Sequence, residues 1–262
     1  MNFSFGRTHR TRGKMRIVRH FAVVAAVAAL AVTAGCSKKT EECKAIIDTI
    51  DDDDAALKGV DLKTEDFALL GKNLKTAADL VEKVATDLAA KKPTDADLAK
   101  ESADYQAFAK ELATEMRTLS GLVTKLDETL TKLGPMAKAL NGGLHKLHVR
   151  CETDAAANDC ALVRKTLKNA PDQDAFKFDK DLKEDADAFA KFSAELKGLT
   201  IADKEVKADV DEVAKGLGTL EEIMRGLVEL KPKFDASEAA MRMVIAKEAP
   251  IERHIIETCA AK

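Results

Sequence analysis

The chain has 262 residues, with 45 acidic against 42 basic side chains, one tyrosine and no tryptophan. Ala, Leu, Lys, Asp and Glu dominate, which is helix composition, and strand-forming residues are scarce. The first 35 residues hold six basic and no acidic side chains, so their removal takes the net charge from −3 to −9 over 227 residues. That balance argues against a nucleic-acid partner and against a protein lying flat on anionic lipid, both of which need basic patches. A chain of this length buries a core in one or two domains.

The first element is a targeting segment. Arg7, Arg10, Arg12, Lys14, Arg16 and Arg19 precede a twelve-residue apolar run, Phe21 to Val32, too short to span a bilayer, and small residues follow it. Basic start, short apolar middle and small exit make a secretory signal. Met15 begins a more conventional version of it, so residues 1–14 are expected to be an over-long start. The exit, Val32-Thr33-Ala34-Gly35-Cys36, resembles the lipobox of bacterial lipoproteins. That family prefers Leu where Thr33 stands. The resemblance implies lipid on the Cys36 thiol and cleavage just before it, which anchors a chain without spanning the membrane. The next residue is Ser37, not the Asp that favours inner-membrane retention in Gram-negative lipoproteins. By resemblance, this points to the outer membrane, facing the periplasm, with the inner membrane or the cell surface as alternatives.

The rest of the chain reads as helices. Phe67, Leu70, Leu74, Ala77, Val81, Val84 and Leu88 step by 3 and 4 in turn, a heptad seam. Beyond the break KKPTDADL, Leu98, Tyr105, Leu112, Leu119, Leu126 and Leu133 recur every seven. Thr94 and Asp97 have capping-box spacing at that start. Leu182, Phe189, Phe192, Leu196 and Leu199 form a third stripe. Val206, Val210, Val213, Leu217, Leu220, Met224 and Leu227 form a fourth, with Thr200 and Asp203 as its capping pair. A last helix starts at Asp235 and carries Met241, Val244, Ile245, Ile251, Ile255 and Cys259. Pro93, Pro135, Pro171, Pro232 and Pro250 fall at or near expected helix ends, with Pro250 alone threatening a helix interior. Narrow seams of this kind pack as antiparallel bundles.

Two copies of one unit are suggested. CKAIIDTI at Cys43 resembles CALVRKTL at Cys160. A single shift carries Val81 onto Phe189, Leu98 onto Val206, Leu112 onto Leu220 and Cys151 onto Cys259. Heptad stretches align at some offset in any case, so the cysteines carry the comparison. The expected fold is all-α, with antiparallel bundles in two tandem four-helix units. The expected divisions are a signal peptide over 1–35, a tether over 36–41, and units over 42–151 and 152–262. In an up-down-up-down unit, the start of helix one and the end of helix four meet at one end. Cys43–Cys151 and Cys160–Cys259 are therefore the favoured disulfides, each adding about 4–5 kcal/mol in the chain-entropy model. The rival pairing is Cys151–Cys160 with Cys43–Cys259.

Other candidates are weaker. His145, His148 and Cys151 stand at i, i+3 and i+6, with His254 or Cys160 as a fourth zinc ligand, but this spacing is ordinary on any helix. The run Asp51 to Asp54 lacks the Gly and spacing of a calcium loop and reads as a solvated acidic face. No nucleophile elbow, phosphate loop or haem attachment motif occurs, so no catalytic residue, cofactor or enzyme activity is expected. Lys262 is one point of resemblance to the murein lipoprotein of enteric bacteria, which joins peptidoglycan through a terminal lysine. The expected role is a lipid-anchored, non-catalytic module that engages an envelope protein or peptidoglycan. The alternative is a helical bundle that binds a small ligand or metal, with Phe176, Phe178, Phe189 and Phe192 lining its cavity.

Overall fold

The computed structural model describes residues 38–152, 157–171 and 182–261. The fold is all-α. The described residues form α1 (Lys38–Lys58), α2 (Phe67–Lys91), α3 (Ala96–Thr131), α4 (Leu133–Cys151), α5 (Ala157–Leu167), α6 (Leu182–Lys197), α7 (Lys204–Ile245) and α8 (Glu248–Ala260). The signal segment, Cys36, Ser37, Phe176, Phe178 and Lys262 lie outside them. The expected tether is already helical from Lys38.

Helix starts follow local chemistry, with corrections to the expected caps. Asp66 caps α2 by accepting the Leu69 N–H at 2.9 Å. Asp95, not the Thr94–Asp97 pair, caps α3 by accepting the Leu98 N–H at 2.9 Å. Asp203 caps α7 through the Val206 N–H at 2.9 Å. Two adjacent polar residues compete at the start of α3, and Thr94 is drawn off by Glu42 of α1, whose carboxylate accepts its hydroxyl at 2.7 Å. The α2 helix ends at Lys92, whose φ of 46° is left-handed, and Pro93 then bars a further turn. Pro232 does not end a helix: α7 runs through it, and no separate helix begins at Asp235. Pro135 and Pro250 sit in the first turns of α4 and α8, where a missing N–H breaks no intrahelical bond.

Two compact units divide the chain, but not at 151/152. One, here the terminal unit, takes the described residues through Lys125 and those from Lys233 onward; the other, the central unit, takes Leu126 to Pro232. Both divisions fall inside helices, α3 and α7.

In the terminal unit α1 packs on α2 and α8. The α2 seam is buried from Leu70 to Leu88, as its period requires, against Ile46 of α1, Leu98 and Met116 of α3, Val244 of α7 and Ile255 of α8. Arg117 of α3 pairs with Asp79 at 2.8 Å and also with Glu82, both on α2.

The central unit buries Leu140 and Leu147 of α4, Val163 of α5, Phe189, Phe192 and Leu196 of α6, and the α7 seam from Val206 to Met224. Its α4 and α7 touch closely, because Gly143 and Gly216 present no side chain at the contact. A Cβ on Gly143 would stand 2.8 Å from Val213 Cγ2, and one on Gly216 would stand 2.7 Å from Leu140 Cγ. Ser193 of α6 keeps its buried hydroxyl satisfied by donating to the Ala214 carbonyl at 2.9 Å.

Candidate functional site

The four described cysteines close two disulfides. Cys43 of α1 bonds Cys259 of α8 with Cα atoms 5.7 Å apart, and Cys151 of α4 bonds Cys160 of α5 at 5.4 Å. Both separations are ordinary for the bond. The favoured pairing, Cys43–Cys151 with Cys160–Cys259, is thereby overturned in favour of its rival. The reason lies between α3 and α4. Only Lys132 separates them, and its φ of −72° and ψ of −18° are helical, so the chain does not reverse there. Cys151 accordingly lies in the central unit, and Cys43 in the terminal unit.

The metal candidates are not brought together. Cys151 and Cys160 are consumed by their disulfide. His148 is exposed and pairs at 3.1 Å with Glu152, the residue that caps the end of α4. His145 is exposed, and His254 belongs to the terminal unit, where its Nδ1 lies 3.7 Å from Glu101. No group of three or more His, Cys, Asp or Glu suited to a metal ion occurs among the described residues. Of the proposed cavity-lining phenylalanines, Phe189 and Phe192 are core residues of the central unit.

A cluster of four carboxyls on α1 and α8 went unrecognised in the sequence. Glu248 is pushed up to about 7, first by burial and then by the carboxylates of Glu252 and Asp54. Glu252 is raised by burial and then by Asp54 and Asp51. Asp54 is raised by burial, with Lys58 opposing. The aspartate run is thus not wholly a solvated face: Asp51 and Asp52 are exposed, whereas Asp54 is half-buried. The signal was present in the heptad register. Met241, Val244, Ile251 and Ile255 assign position 248 to the seam, where a carboxylate loses its water. Chemically, Glu248 exchanges a proton near neutral pH, which an ordinary carboxylate does not do.

Buried acids elsewhere are paired. Asp209 of α7 accepts from Arg150 Nε of α4 at 2.7 Å, and Arg150 also pairs with Glu205. Lys146 meets Glu212 at 2.6 Å on the same two helices. Among the described residues no helix is long and apolar enough to cross a membrane. No protein-family model, curated protein or solved structure matches this chain.

Proposed function

We propose that the chain is a lipid-anchored envelope lipoprotein that works as a non-catalytic structural or interaction module in the periplasm. The accounting of cysteines carries this reading. Four of the five close two disulfides, which persist in an oxidising compartment. The fifth, Cys36, stands where the lipobox resemblance puts the acylated residue. An anchor at Cys36 and a helical body that begins at Lys38 would hold the bundle within a few residues of the bilayer surface. From Ser37, the outer membrane is the expected address. The module engages an envelope protein or peptidoglycan.

Metabolic labelling with an alkyne fatty acid, followed by membrane fractionation, tests the anchor. The wild-type chain takes the label and sediments with outer membrane, and Cys36→Ser loses the label. An unlabelled wild-type chain overturns the reading. Crosslinking in intact cells with mass spectrometry then tests the role. A reproducible envelope protein or muropeptide on the chain supports it, and a clean monomer carrying only lipid counts against it.

A further inference from the structure

We propose that the chain is a duplicated four-helix unit whose two copies exchange their fourth helices, with the two disulfides as clasps that fix the exchange. One copy is α1 to α4 and the other α5 to α8. Polar features that no heptad seam demands recur in both. In each copy the acid just before the first cysteine binds the backbone at the entrance to the third helix, at the capping aspartate and the residue before it. Glu42 accepts the Thr94 N–H at 2.9 Å and the Asp95 N–H at 3.4 Å. Asp159 accepts the Ala202 N–H at 3.1 Å and the Asp203 N–H at 2.8 Å. Arg117 reaches back to Asp79 at 2.8 Å, and Arg225 reaches back to Asp187 at 2.7 Å. Arg117 to Arg225, Asp79 to Asp187, Asp95 to Asp203 and Cys151 to Cys259 are one and the same shift of 108 positions. Seam periodicity aligns apolar positions, but it does not align caps and ion pairs.

The exchange rests on which fourth helix each unit receives. The terminal unit contains α1, α2 and α3 through Lys125, together with the end of α7 from Lys233 and α8; the central unit contains α5, α6 and α7 through Pro232, together with the end of α3 from Leu126 and α4. A buried acid on each third helix meets a base from the received helix. Glu101 of α3, 8% exposed, faces His254 of α8, and Asp209 of α7, 6% exposed, binds Arg150 of α4. Glu101 and Asp209 are again related by the same shift. Lys132 before α4 and Lys247 before α8, with φ of −80° and ψ of −22° at the latter, both keep helical backbone. An element given up by one copy and taken by its twin is the logic of domain swapping, contained here in one chain.

Non-reducing tryptic mapping of the full chain needs no variant. Cys151 and Cys160 lie in one tryptic peptide, residues 151–164. The exchange yields that peptide with an internal bridge, two hydrogens lighter than its reduced form. It also yields a separate pair joining residues 40–44 to 254–262. An assembly of all three peptides means that Cys151 and Cys160 are not bonded to each other and overturns the proposal. Hydrogen exchange on the full chain supplies the second measurement. In Cys43→Ser/Cys259→Ser, α8 should exchange at least about tenfold faster with α4 unchanged. Loosening of α4 in its place overturns the proposal.

Discussion

Gly142 and Gly143 are neighbours on α4, yet alanine at the two positions should act with opposite sign. A Cβ on Gly142 meets nothing within 4 Å. Gly142→Ala therefore gains the helix preference of alanine, about 1 kcal/mol. A Cβ on Gly143 would stand 2.8 Å from Val213 Cγ2, 3.3 Å from the Val213 nitrogen and 3.6 Å from the Asp209 carbonyl oxygen. Val213 is buried in α7, and a β-branched residue in a helix has one strongly preferred rotamer, so it cannot swing aside. The helices must separate instead, and overpacking of this kind costs about 1–3 kcal/mol. Set against the same helix gain, Gly143→Ala should lose up to about 2 kcal/mol, which puts the two variants about 1–3 kcal/mol apart. Urea denaturation followed by helical circular dichroism measures this directly. If Gly143→Ala matches or exceeds Gly142→Ala, the close approach of α4 and α7 is wrong.

Three further outcomes are expected. The two disulfides close loops of 216 and 9 residues, so the chain-entropy model assigns them about 5 and about 2.6 kcal/mol. Cys43→Ser/Cys259→Ser should accordingly lower the denaturation midpoint more than Cys151→Ser/Cys160→Ser, whereas equal losses would contradict the pairing. Glu248 binds its proton more tightly folded than unfolded, so stability should fall as pH rises from about 4.5 to about 7 and then level off. Glu248→Gln should flatten that slope and stabilise the chain by about 2–3 kcal/mol at pH 8, and thermal melts of both proteins that run parallel across pH would refute the assignment. The buried hydroxyl of Ser237 lacks a hydrogen-bond partner, so Ser237→Ala should be neutral or stabilising by about 1 kcal/mol in the same melts, and a clear loss would mean that the hydroxyl is satisfied.

The seams were legible because burial and the heptad share one period: Leu70 to Leu88 and Val206 to Met224 are core, as the spacing requires. Connections were less legible. Pro135 reads as a helix end, but proline in a first helical turn costs no hydrogen bond, so α3 passes almost directly into α4. Pro232 reads as a boundary for the same kind of reason, and α7 continues through it. Those two steps decide which cysteines meet, and no local pattern holds that information. The hydrogen bonds from the Thr94 and Asp95 N–H groups to Glu42 are likewise set by tertiary packing, across more than fifty residues of chain. The carboxyl cluster is different. Its place on the seam could be counted from Met241 and Val244, and only its partners Asp51 and Asp54 on α1 required the fold.

The bridge between Cys43 and Cys259 also has a mechanical meaning. A pull applied between Lys38 and Ala261 travels along the first residues of α1, across the two sulfurs, and out through the last residues of α8. The 216-residue loop between those cysteines bears none of that load, since the covalent path is shorter. Tension at the chain ends therefore cannot peel helices away in sequence, as it does in proteins where the force path runs through the fold. While the bridge is oxidised, the two ends behave as a single attachment point.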